Sequence, residues 1–128
     1  MNEETASYLL SLDKYLIEDG EFLDSEEIVI AYPFRERFVL ACPDDLEQNL
    51  FVEIWESDKM ELRISIHHQD DNTQFGLLRI DFGSGHVNPQ TATSDLPLRF
   101  HPFIGARITS PHIHYVVDGY KPLAWAIP

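Results

Sequence analysis

Positive charge is scarce in this chain. Nine Lys and Arg stand against 22 Asp and Glu, leaving a formal net charge of −13 over 128 residues. That balance repels phosphate backbones at long range and works against unspecific nucleic-acid binding. It fits an acidic surface that docks on a basic partner, a mimic of nucleic acid, or a cytosolic protein kept in solution by its charge. The acids lie mostly before residue 72, so the histidine-rich second half is closer to neutral.

Cysteine is almost missing. The single Cys42 excludes an internal disulfide and any multi-cysteine metal site. It follows an apolar run and precedes Pro43, which reads as a buried, inert thiol. Long hydrophobic runs are absent too: none approaches the roughly 20 residues a membrane-spanning helix needs. The opening Met1-Asn2-Glu3-Glu4 lacks the positive start of a signal peptide. The expectation is a soluble, cytoplasmic chain with no membrane partner. There are no repeats, low-complexity tracts or linkers, so residues 1–128 form one domain.

What is present is patterned. Tyr8, Leu9, Leu12, Tyr15 and Leu16 form one apolar stripe and predict a helix over 4–19, within an N-terminal unit 1–20. Asn2 or Thr5 caps its start, and Gly20 suits the left-handed position after its end. Residues 26–82 predict antiparallel strands at 27–33, 37–42, 50–56, 60–67 and 75–82, with a hairpin at Ser57-Asp58-Lys59 and a turn over 69–73. Phe34-Arg35-Glu36 separates the first two. A long segment, 83–110, predicts an ordered or functional loop, because loops beyond about 12–15 residues are seldom idle. Strands at 112–117 and 123–127 close the chain within 111–128. The class expected is α+β: one N-terminal helix packed on a mainly antiparallel, strongly twisted sheet of about six or seven strands.

Alternation then assigns faces. Arg63, Ser65 and His67 oppose Leu62, Ile64 and Ile66; Arg79 and Asp81 oppose Leu78 and Ile80; His112 and His114 oppose Ile113 and Tyr115. In one sheet the polar sides coincide and gather Arg63, His67, Arg79, Asp81, His112 and His114. The 83–110 segment, with His86 and His101, leaves the end of the fifth strand and is placed to fold across that face as a lid. One histidine can take a proton while another gives one. Arginine steadies a developing phosphate charge, and Asp81 orients a ring. That kit suits metal-independent RNA cleavage through the 2′-hydroxyl. The same histidines with Asp81 also suit a divalent transition metal, for which His86, His112 and His114 are the candidate ligands. Gly83-Ser84-Gly85 lacks the lysine and helix start of a phosphate loop and reads as a turn.

Leu78-Arg79-Ile80-Asp81, Gly85-His86-Val87-Asn88-Pro89, Pro111-His112-Ile113-His114, Asp118-Gly119-Tyr120 and Trp125-Ala126-Ile127-Pro128 stand in that order over about the last 50 residues. In this the chain resembles an uncharacterised bacterial family of small proteins recorded as a domain of unknown function. Its members have a shorter segment between Asn-Pro and Pro-His-x-His. More distantly, Arg79 with Asp81, His86 with Pro89, and Pro111 with His112 and His114 resemble the motifs of TumE-type toxins. The middle histidine of their last run is Ile113 here. That resemblance implies action on RNA and an antitoxin partner.

The function expected is a toxin-like ribonuclease of the toxin–antitoxin or mobile-element kind, with no cofactor. His112 and His114 serve as acid and base, Arg79 as phosphate binder, Asp81 as orienter and His86 as support. The alternative is a non-enzymatic acidic interaction protein, a phage-type inhibitor or nucleic-acid mimic, docking on a basic partner.

Overall fold

A computed structural model describes residues 1–23, 34–57, 61–70 and 73–128. The strand expected at 27–33 and the tip of the Ser57-Asp58-Lys59 hairpin lie outside the described residues. The class is the α+β arrangement expected, with a short N-terminal helix on an open antiparallel sheet.

Helix α1, Glu3–Ser11, starts where the sequence says it should. The Asn2 side chain accepts from the Thr5 amide at 2.8 Å, and Glu3 and Glu4 fill the first turn, where carboxylates meet the positive end of the helix dipole. It ends earlier than expected. Lys14 Nζ donates to the carbonyls of Leu10 and Leu12, and Tyr15–Glu18 is strand β1, paired with β2, Glu21–Leu23. The signal misread is Asp19-Gly20. Both residues have positive φ, 51° and 80°, the backbone of a two-residue hairpin turn and not of a helix cap.

Among the described residues, strands β3 (Phe34–Ala41), β4 (Leu50–Glu56), β5 (Leu62–Asp70), β6 (Thr73–Phe82), β9 (His112–Tyr115) and β10 (Trp125–Ile127) complete an eight-stranded sheet of order β10-β9-β6-β5-β4-β3-β1-β2. Arg35 and Glu36, expected between strands, are inside β3: Arg35 and Arg37 alternate toward one face and both pair with Glu53 of β4. The 83–110 segment carries structure of its own. It holds a two-stranded pair, β7 (His86–Val87) with β8 (Arg107–Ile108), and a 3₁₀ turn over Leu98–Phe103.

Two cores lie side by side on one face of the sheet. Ala6 and Leu9 of α1 pack on Cys42, Leu50, Leu77 and Val116. Burial raises the Cys42 thiol, in keeping with an inert cysteine. A bulge at Ile66/His67 inserts Leu77, which is fully buried in this core. At the far end Phe100 of the 3₁₀ turn sits with Leu96, Val117, Ala124 and Trp125. Phe100 lies 5.7 Å from the rings of both Tyr115 and Trp125, so this long segment is anchored by aromatic packing.

Candidate functional site

The antiparallel register sets the site. Arg35, Trp55, Arg63, Asp81 and His112 stand opposite one another across β3, β4, β5, β6 and β9. The next row on the same face is Arg37, Glu53, Ser65, Arg79 and His114. Beyond it come Phe51, His67 and Gly76. Directly opposed residues point to the same side of a sheet, so one face carries all of these groups.

Asp81 is the centre of the closed end. It is 1% exposed, as is His112; His114 is 0% exposed. Asp81 Oδ2 lies 3.1 Å from His114 Nε2 and 3.6 Å from His112 Nε2. Its Oδ1 lies 3.0 Å from Arg79 Nε and 3.5 Å from Arg63 Nε. Ser84 Oγ donates to Oδ2 at 3.4 Å. Burial alone pushes the carboxyl up. The His114 hydrogen bond and the Arg79 and Arg63 charges outweigh it and hold Asp81 at about 2.

Main-chain carbonyls fix both rings. His112 Nδ1 lies 2.7 Å from the Ser110 carbonyl, and His114 Nδ1 lies 2.9 Å from that of Leu123. A carbonyl only accepts, so each Nδ1 carries the hydrogen. His114 Nε2 is within hydrogen-bonding reach of Asp81 Oδ2 and donates to it when it too carries a hydrogen. Arg79 Nη2 stands 3.1 Å from the Nε2 of His114, where it can donate. His112 Nε2 is buried with no hydrogen-bond partner. Leu123 holds its carbonyl in place with φ at 62°, a strained backbone for leucine, and its side chain lies over Gly76. A Cβ at Gly76 would meet Leu123 Cδ1 at 2.6 Å, so a larger residue there would push the leucine side chain aside.

His86 stands beside this cluster, its ring 4.5 Å from that of His114 and 6.0 Å from that of His112. Its Nε2 donates to the Ala124 carbonyl at 2.9 Å, and burial lowers its pKa. The donor atoms that converge within 4.8 Å are those of Asp81, His112 and His114, a set without His86. His101 lies away from it, bonded to the Leu96 carbonyl, and His68 pairs with Gln48. The 83–110 segment borders the site through His86 and Pro89 instead of lying across the whole face. Asn88 ties it to the edge strand: its side chain accepts from the Ala126 amide and donates to the Ala126 and Phe103 carbonyls at 2.8–3.0 Å.

The open end of the face is a hollow of about 290 Å³, walled by Arg35, Glu53, Trp55, Arg63, Ser65, His67, Arg79 and Leu123. Arg63 lies over the Trp55 ring and Arg37 over that of Phe51. His67 stacks on Phe51, with neither ring nitrogen bonded, and burial lowers its pKa. Arg79 also lines a second hollow, of about 440 Å³, with His86, Pro89 and Lys121. Arg35 and Trp55 were not expected on this face, and His67 was expected on it but given no chemical role. His67 shares the polar side of its strand with Arg63, which was a usable signal. Arg35 and Trp55 became visible only through the β3–β4–β5 register.

The match to known families covers the whole chain. A family model described as a family of unknown function, DUF6978, matches residues 1–128. The chain belongs to that family. No curated protein and no solved structure matches this DUF6978 member. No helix among the described residues is long and apolar enough to cross a membrane.

Proposed function

We propose that this DUF6978 protein binds a phosphate ester of the kind an RNA backbone presents, and acts on it as a small toxin-like ribonuclease. One observation carries the reading: three of the nine basic residues of an acidic chain, Arg35, Arg63 and Arg79, line a single hollow. Four guanidinium groups there, including Arg37, share two carboxylates, Glu53 and Asp81, so two positive charges are in excess. Such a concentration focuses anions against the overall field. Buried Asp81 orients Arg63 and Arg79, and planar guanidinium forks suit phosphate oxygens. The resemblance to TumE-type sequences supports RNA as the source of that phosphate.

The proton-transfer group in this reading is His67, which lines the hollow with both ring nitrogens buried and unpaired; a turn of the ring toward the hollow brings one of them to the substrate, and burial lowers its pKa and favours the neutral ring. His112 and His114 hold the Asp81–Arg79 unit from beneath. His67 takes the proton of a ribose 2′-hydroxyl, whose oxygen attacks phosphorus. The P–O5′ bond breaks, the leaving oxygen takes a proton from water, and a 2′,3′-cyclic phosphate results. The test is fluorescence anisotropy with a short labelled RNA at low salt, joined to a cleavage gel. The combined Arg35→Gln and Arg63→Gln variant should bind at least tenfold more weakly, while Arg107→Gln, on β8, changes little. His67→Ala should bind and not cleave. Equal binding by wild type and the double variant, or an intact RNA after incubation with wild type, would overturn the proposal.

The net charge of −13 supports a second reading, in which the acidic surface docks on a basic protein partner such as an antitoxin. Binding to that partner should weaken steeply with salt and survive loss of Arg63 and His67.

A further inference from the structure

We infer that Asp81, His112 and His114 form a binding site for a divalent first-row transition ion. The inference does not depend on the RNA reading, although Asp81 and Arg79 enter both. Both histidines commit Nδ1–H to main-chain carbonyls, and this is how ligating histidines are held in metal sites. Both Nε2 atoms face one carboxylate oxygen, which His114 reaches at 3.1 Å and His112 only at 3.6 Å, so two rings are in conflict over a single partner. His112 Nε2, on a fully buried side chain, has no hydrogen-bond partner at all. A cation among the three resolves the conflict. The spacing admits one: bonds of 2.0–2.1 Å at tetrahedral angles require ligand atoms about 3.3 Å apart. The two Nε2–Oδ2 separations are 3.1 and 3.6 Å, and the three donor atoms together converge within 4.8 Å, so the rings draw in slightly around the ion. Two imidazoles and one carboxylate select zinc, cobalt, nickel or iron(II) over magnesium or calcium, which take all-oxygen shells.

Arg79 is the gate. Its Nη2 stands 3.1 Å from His114 Nε2 and its Nε 3.0 Å from Asp81 Oδ1, so a guanidinium covers the donor set with like charge. Its side chain is 26% exposed and borders both hollows, so it has room to swing outward. The ion and Arg79 therefore compete for the same lone pairs, and removing the guanidinium should tighten metal binding.

The test is a Co²⁺ titration of chelator-treated, dialysed protein, followed by visible absorption, with Zn²⁺ displacement as a second readout. Wild type should take up one Co²⁺ per chain. Asp81→Asn and His112→Ala should each weaken uptake about tenfold or more, and Arg79→Gln should strengthen it several-fold. The Arg79→Gln variant removes no ligand, so its result stands even where the ligand variants fold poorly. No saturable uptake by either wild type or Arg79→Gln overturns the site, as does uptake that folded Asp81→Asn leaves unchanged. RNA binding is measured in chelator, so failure of one proposal leaves the other to be judged on its own.

Discussion

The two ends of one sheet face handle the same residue types in opposite ways. At the β6–β9 end, Asp81, His112 and His114 are sealed from water, and both ring Nδ1 atoms are bonded to the main chain. At the β3–β5 end, His67 and the arginines border an open hollow, and neither His67 nitrogen has a partner. The face is continuous and its rows run unbroken between the two. What differs is cover: the segment carrying His86 and Asn88 lies against the β6–β9 end, while Leu123 borders both ends. A histidine's role here follows from what lies over it more than from the strand that carries it.

The sharpest way to break this contrast is to remove one group from each end. Asp81→Ala should cost about 3–5 kcal/mol in urea denaturation at pH 7, because it strands two guanidinium groups and two buried rings. His67→Ala should cost about 1 kcal/mol or less. Equal losses would dissolve the distinction. The cover itself is tested next. Asn88→Ala leaves the Ala126 amide and two carbonyls unpaired and should cost about 2–3 kcal/mol by the same measurement.

Acid sharpens the comparison further. Asp81 titrates at about 2 in the folded chain against an ordinary 3.8. Its folded pKa is depressed, so its contribution is complete above 3.8 and disappears as the pH falls through 2. That contribution is roughly 2 kcal/mol, to be read as the difference in acid-induced unfolding between wild type and Asp81→Asn. The smallest effect belongs to His67. Its folded pKa lies below 6.5, so the unfolded chain takes the proton first and stability declines as pH drops below 6.5. Proton NMR of the His67 ring should show a midpoint under 6.5, and a value at or above it would remove the argument from burial.

Much of the sheet was legible. Period-two alternation in short strands with tight turns placed Arg63, Arg79, Asp81, His112 and His114 on one face, and the register agrees. The helix boundary was not legible, because Leu12, Tyr15 and Leu16 continue a helical spacing by coincidence while Asp19-Gly20 makes a hairpin turn. Arg35 escaped because Phe34-Arg35-Glu36 breaks an apolar run and resembles a turn, and only pairing with β4 shows it inside a strand; Trp55 lay in an expected strand but gains its place at the site from the same register. Asn88 escaped for another reason. Its bonds run to the main chain of a residue 38 positions away, and main-chain partners leave no trace in side-chain pattern.

That asparagine also bears on how copies of the protein meet. An edge strand offers amides and carbonyls on which a further chain can build. On β10 the central pair, both from Ala126, is already taken by one carboxamide. Ala126 and Asn88 are both buried, so the 83–110 segment covers this edge as a whole and the strand is not presented to another copy. A substitution that removes the carboxamide loosens that cover from within.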